Sequence, residues 1–120
     1  MSLQGSCHCG AITVTLGFQP ASVTECNCSV CRRYGARWAH GTRSNVRVDA
    51  HPDVLKFYSW GDKGIEFYHC QYCGCLTHYE STDKSPDSRI SLNTRMCDPA
   101  AVKDLRVRQF DGADTWEFLD

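Results

Sequence analysis

Cys70-Gln71-Tyr72-Cys73-Gly74-Cys75 has the form of a zinc knuckle. Two thiols separated by two residues can meet one cation, and the tight turn between them calls for a residue tolerant of positive φ just after the second ligand, which Gly74 supplies. The same chemistry recurs outward from it, as Cys7-His8-Cys9-Gly10 near the N-terminus and Cys26-Asn27-Cys28-Ser29-Val30-Cys31 between the two. Eight of the nine cysteines fall in these three groups. That density is unlike core packing, where an isolated cysteine behaves as a small hydrophobe.

The groups divide unequally. Cys7, Cys9, Cys70 and Cys73 supply four thiolates, enough for a closed tetrahedral zinc tying the N-terminus to the middle of the chain, with sulfurs about 2.3 Å from the metal. Cys26, Cys28 and Cys31 supply three. A zinc there needs a fourth donor, open among water, a substrate thiol, Cys75, Cys97 and a histidine. Closed zinc sites are structural, whereas a site with an open position can do chemistry. A short helix starting near Ser29 and stopping at Gly35 would put Cys31 in its first turn, where the helix dipole lowers a thiol pKa. Arg32 and Arg33 follow at once and can offset thiolate charge or hold an anion. Cys75 is expected to point into the core, and His8 and His69 to stand beside ligands without binding.

The 120 residues predict one domain spanning 1–120. Thirteen basic and fourteen acidic residues leave a net charge of −1, which gives no electrostatic footprint for nucleic acid or an anionic membrane. No apolar run approaches the roughly 20 residues that span a bilayer, and no secretory hydrophobic region precedes the first cysteines. The expected compartment is therefore the reducing cytoplasm, where clustered cysteines are metal ligands rather than disulfides. The odd count of nine agrees with this.

Ala11 to Leu16 alternates apolar and polar residues, as a half-buried strand does. Arg37–Gly41, Asn45–Val48, Val54–Tyr58, Ile65–His69, Leu76–Tyr79, Arg89–Asn93 and Arg106–Phe110 are further short strands, separated by Gly, Pro, Asp or Ser. Asp98 and Pro99 mark the start of a short helix over Ala100–Leu105. Glu80–Ser88 is expected to be a surface loop. The fold class is all-β, with one or two short helical turns.

In order, Gly5-Ser6-Cys7-His8-Cys9-Gly10-Ala11, Cys26-Asn27-Cys28-Ser29-Val30-Cys31-Arg32-Arg33, Cys70-Gln71-Tyr72-Cys73-Gly74 and Leu92-Asn93-Thr94-Arg95-Met96-Cys97-Asp98 resemble the glutathione-dependent formaldehyde-activating enzyme family, which includes the centromere protein V group. The resemblance implies a single Mss4-like, or β-tent, domain of short antiparallel strands stapled by zinc. It implies two zinc ions: a structural one on Cys7, Cys9, Cys70 and Cys73, and a catalytic one on Cys26, Cys28 and Cys31. It also implies a carbon–sulfur lyase acting on the adduct of glutathione, or another small thiol, with an aldehyde. Arg32, Arg33 and Arg95 are the expected receivers of the thiol's carboxylates. The alternative is a non-catalytic Mss4-like zinc module that binds a protein partner. The sequence departs from the family in its compact stretch between Cys31 and Cys70, and in His69 where relatives often carry phenylalanine. Oligomeric state is not encoded in any of these patterns.

Overall fold

Val14 and Leu16 alternate with Thr13 and Thr15, and that alternation survives in the computed structural model, which describes residues 1–120. Ten strands form: β1 (Leu3–Ser6), β2 (Thr13–Leu16), β3 (Ser22–Cys26), β4 (Trp38–Thr42), β5 (Val46–Asp49), β6 (Leu55–Tyr58), β7 (Ile65–Cys70), β8 (Leu76–Ser81), β9 (Arg89–Asn93) and β10 (Arg106–Phe110). Two single-turn helices join them, α1 (Cys31–Tyr34) and α2 (Pro99–Val102). The all-β expectation holds. At α2, Asp98 caps as expected, its Oδ1 accepting the Ala100 N–H at 3.0 Å, but the helix stops at Val102 rather than Leu105.

The strands build two sheets, a small one in the order β1-β2-β5 and a large one in the order β10-β3-β4-β9-β8-β7-β6. The small sheet lies against one face of the large one. Leu3, Ile12, Val14, Leu16 and Val46 meet Ala39, Ile90 and Leu92 in the main core. Each such side chain contributes roughly 1.5–3 kcal/mol by leaving water. A separate cluster of Cys31, Ala36, Trp38, Phe67, Leu76 and Tyr79 forms around α1. Along β4, Ala39 therefore packs into the main core while Trp38 and Tyr79 pack together in the second cluster, as the two-residue period of a strand dictates.

Two strands lie where no strand was expected. β1 contains a glycine and only one large apolar residue, and exists because β2 pairs with it from Leu3↔Leu16 to Ser6↔Thr13. β3 runs directly into the middle cysteine group and is held on both sides, by β4 and by β10. The β10–β3 pair is parallel, unlike every other pair, because the chain returns to that edge from the opposite end of the sequence. Glu80 and Ser81 extend β8 into the segment expected to be a loop.

Glu80 anchors that extension. His78 is fully buried, stacked on Tyr68 at 4.9 Å, with its Nδ1 2.7 Å from Thr77 Oγ1 and its Nε2 3.2 Å from Glu80 Oε2. Arg43 Nη2 donates to Glu80 Oε1 at 2.5 Å. Burial alone would raise the Glu80 carboxyl, but the bonds from His78 and Arg43 and the Lys84 charge hold it down at about 2. A carboxyl depressed in the folded state stabilises fully above its ordinary pKa of 4.5, and that contribution fades as pH falls from there toward 2. Denaturant unfolding at pH 6 and pH 3 should show the wild type losing on the order of 2 kcal/mol more than Glu80→Gln. Equal losses would assign the acid sensitivity to other groups.

Candidate metal centre and cleft

The first and third cysteine groups meet where the two sheets are joined. Cys7 and Cys9 occupy the β1–β2 connection of the small sheet, while Cys70 ends β7 and Cys73 lies in its turn to β8. All four sulfurs lie within 4.8 Å of one another. Cys7 and Cys9 sulfurs are 3.7 Å apart, and those of Cys9 and Cys70 are 3.6 Å apart. Four sulfurs placed tetrahedrally around a zinc would be separated by about 3.8 Å. Backbone N–H groups point at the sulfurs, from Ile12 to Cys7 and from Tyr72 to Cys70, both at 3.3 Å. Such donors favour thiolates over thiols. Gly10 and Gly74 turn the two knuckles at φ 83° and 78°, a region that costs a side-chain-bearing residue strain. The donor set fits a closed tetrahedral metal site.

The middle group is built differently. Cys26 ends β3, Cys28 follows in the turn and Cys31 opens α1. Their three sulfurs also lie within 4.8 Å of one another, and no fourth Cys, His, Asp or Glu joins them. The Cys31 N–H donates to Cys28 Sγ at 3.4 Å. The buried Trp38 Nε1–H finds no oxygen or nitrogen acceptor and lies against Cys31, whose thiol it pulls down. A donor directed at a sulfur in this way would favour a metal-bound, charged thiolate. Three sulfurs with a spare position fit a metal whose last site is free.

Cys26 and Cys31 titrate as an interacting pair, and the start of α1 is not the main influence on either thiol. The Cys31 thiol is pushed up, first by its hydrogen bond to Cys26 and then by burial. The thiol brought down is Cys26, to about 5, through the Cys31 hydrogen bond and backbone N–H groups of Cys28 and Gly112. A helix of four residues sums few peptide dipoles, so neighbouring sulfur and burial outweigh it.

The three-sulfur group opens into a cleft of about 670 Å³. Strand register builds its floor. His40 pairs with Ser91, Ser91 with Tyr79 and Tyr79 with Phe67, so one row of side chains crosses four strands. His40 Nδ1 lies 2.7 Å from Ser91 Oγ and 3.4 Å from the Tyr79 hydroxyl. Burial, helped by the Arg89 charge, pushes His40 down to about 4, so its ring is neutral at neutral pH. Burial likewise raises the Tyr79 phenol, which stays protonated. Trp60, Phe110, Trp116 and Phe118 line the remainder, with Arg89 and Asp62 as its charged side chains.

The arginines singled out in the sequence lie elsewhere. Arg33 Nη1 donates back to the Ser29 carbonyl at 2.7 Å. Arg95 Nε donates to Gly35 O at 3.0 Å and its Nη2 lies 3.7 Å from Glu25 Oε2. Neither they nor Arg32, which is exposed on α1, lines the cleft, and Arg89 is the arginine that does. Cys75 packs partly buried against the main core, and Cys97 is buried in it, its thiol raised to about 11 by desolvation. Neither joins a sulfur group, and nor does His8 or His69. Sequence reading missed His40, Tyr79, Arg89 and the aromatic residues at 110, 116 and 118. The one signal available was the aromatic density of residues 110–118.

Residues 2–106 match the model of a family described as glutathione-dependent formaldehyde-activating enzyme. A crystal structure of a Rhodobacter sphaeroides protein is similar over 88% of this chain and 99% of that one, with 27% identity and a TM-score of 0.70. No curated protein matches the chain.

Cys70 and Cys97 are both buried, so replacing each separates metal holding from packing. Cys70→Ala should lose a bound metal and destabilise the fold by several kcal/mol, since structural zinc can supply on the order of 10 kcal/mol. Cys97→Ala should keep its metal and cost about 1–2 kcal/mol. Elemental analysis with thermal unfolding reads both; equal metal content in the two variants would contradict the assignment.

Proposed function

The chain belongs to the glutathione-dependent formaldehyde-activating enzyme family, and from that premise we propose that it makes or breaks the carbon–sulfur bond between a small thiol, such as glutathione, and an aldehyde. The observation that carries the reading is the three-sulfur group without a fourth protein donor, at the wall of a cleft. In this proposal Cys7, Cys9, Cys70 and Cys73 hold a structural zinc, and Cys26, Cys28 and Cys31 a catalytic one. A zinc at the second site supplies a cation that keeps a substrate thiol as its thiolate near neutral pH.

The protein's own groups do the rest. In the forward direction the thiol gives up its proton, the sulfur–carbon bond forms, the carbonyl π pair moves to oxygen, and that oxygen takes a proton. Nothing is oxidised or reduced. In the tautomer in which its Nδ1–H donates to Ser91 Oγ, neutral His40 can accept and return the proton at Nε2. The protonated Tyr79 hydroxyl can donate to the oxygen as charge develops on it. Trp38, Phe67 and the other rings exclude water, which strengthens both contacts. Arg32 and Arg33, exposed on α1 next to Cys31, and Arg95, which bonds the Gly35 carbonyl where that helix ends, are proposed to receive the thiol's carboxylates. A reducing compartment such as the cytoplasm suits a protein whose nine cysteines form no disulfide.

A second reading, a non-catalytic zinc module that binds a protein, draws on β6. This edge strand exposes Phe57 and Tyr58, about half accessible each.

Elemental analysis should find two zincs per chain, falling to one in Cys28→Ala with circular dichroism unchanged and lyase turnover lost. One zinc in the wild type would favour the non-catalytic module. His40→Gln should lower kcat on the order of 100-fold with zinc content unchanged. Replacing Arg33 and Arg95 with Ala should weaken thiol affinity without removing zinc; unchanged affinity would remove them from the site.

A further inference from the structure

The matched family stretch ends at residue 106, yet part of the cleft wall comes from beyond it. After β10 the chain doubles back. Asp111 N–H donates to Glu117 O at 2.8 Å, Trp116 N–H to Asp111 O at 2.7 Å and Leu119 N–H to Gln109 O at 2.9 Å. Asn27, inside the middle cysteine group, fastens this segment. Its Nδ2 donates to Asp111 Oδ1 at 3.0 Å and its Oδ1 accepts the Ala113 N–H at 3.0 Å. The approach to the sulfurs is close: a Cβ on Gly112 would sit 2.5 Å from Cys26 Sγ and 3.2 Å from Cys28 Cβ. The segment is thus part of the site's construction.

It presents rings to the cleft. Phe110 packs edge-on against Trp116 at 5.1 Å and Phe118 at 5.0 Å, and the Arg108 guanidinium lies 3.7 Å from the Phe118 ring centre. Trp116 adopts φ 61°, a left-handed conformation that is strained for a bulky residue, and its side chain remains 70% exposed while lining the cleft. Strain of this kind is retained where a function needs the side chain in that place. An indole held there gains nothing from burial in the free protein, so an apolar ligand in the cleft is what would cover it.

The lining also argues about size and polarity. Six rings, Trp38, Trp60, Phe67, Phe110, Trp116 and Phe118, face about 670 Å³, within the range of pockets that enclose drug-sized molecules. Formaldehyde contributes one carbon to its thiol adduct and leaves the exposed rings of Trp60, Trp116 and Phe118 uncovered. The charged ends of a tripeptide thiol would lie outside so apolar a lining, toward Arg32 and Arg33. Resting on the carbon–sulfur lyase reading above, we propose that the aldehyde partner carries a bulky apolar, aromatic substituent, and that Trp116 on the 110–118 segment is the residue that selects it. In the adduct the sulfur lies at the three-cysteine group and the aromatic group lies against Trp116. Trp116 acts in specificity only and takes no part in the proton transfers.

Unreactive thioethers copy the adduct without turnover. Isothermal titration calorimetry on the full, zinc-loaded chain would compare S-benzylglutathione with S-methylglutathione, and the benzyl with the methyl thioether of 2-mercaptoethanol. The benzyl compound should bind at least about tenfold more tightly than its methyl partner, as burial of a phenyl ring predicts. Trp116→Ala should reduce that ratio to about threefold or less, leave the methyl affinity and zinc content unchanged, and be rescued by Trp116→Phe. Equal affinities in the wild type, or a ratio unmoved by Trp116→Ala, would overturn the proposal. Binding of the mercaptoethanol benzyl compound but of neither glutathione compound, with the same Trp116 effect, would support it while removing glutathione as the thiol. Binding of both glutathione compounds with equal strength would keep the thiol and overturn the aromatic group.

Discussion

Four cysteine sulfurs from two sheets stand within 4.8 Å of one another, and that closeness is the constraint on which the structure depends. Thiolates so placed repel, and thiols so placed have too few acceptors for their protons. A divalent cation resolves both problems, because it neutralises the charge and fixes the tetrahedral spacing. The four sulfurs bring the β1–β2 connection of the small sheet to the β7–β8 turn of the large one, Cys9 and Cys70 being 61 positions apart in sequence. β1 is otherwise weakly held: four residues, one of them glycine, paired along β2 with a single further bridge from Gly5 to Cys97. Once the small sheet is fixed, one face of the large sheet is filled by the main core. The other face is left for α1, the three-sulfur group and the cleft.

The contrast between the two sulfur groups follows from their local chain geometry. Two knuckles on separate hairpins approach each other and close a tetrahedron. A single turn between β3 and α1 brings three sulfurs together from one side, leaving the opposite side to whatever approaches. That opposite side is a mostly aromatic cleft with a polar end at His40, Ser91 and Tyr79. The difference between a closed four-sulfur group and an open three-sulfur group thus has its origin in strand order rather than in ligand type.

Much of this was legible in the sequence because cysteine spacing and strand alternation are local signals. The grouping of Cys7, Cys9, Cys70 and Cys73 apart from Cys26, Cys28 and Cys31 is the grouping found in space. Most strands were found within a few residues. β1 and β3 were not, since Leu3–Ser6 and Ser22–Cys26 owe their strand form to partners distant in sequence. The cleft was illegible for the same reason. His40, Ser91, Tyr79 and Phe67 become one row only through the register of four strands. Arg89 could not be told from the other arginines by its neighbours in the chain. Cys31 shows a further limit: helix position suggested a low thiol pKa, and the hydrogen bond it shares with Cys26, followed by burial, outweighs that position.

The central claim is that one sulfur group is closed and the other keeps a position for a ligand thiol. Zinc K-edge X-ray absorption on the native protein, before and after adding a thiol, tests it directly. The account predicts an average of between three and four sulfurs per zinc, with a lighter oxygen or nitrogen donor making up the remainder, rising to four when the thiol is added. Four sulfurs per zinc from the outset, or a coordination unchanged by any thiol, would contradict it.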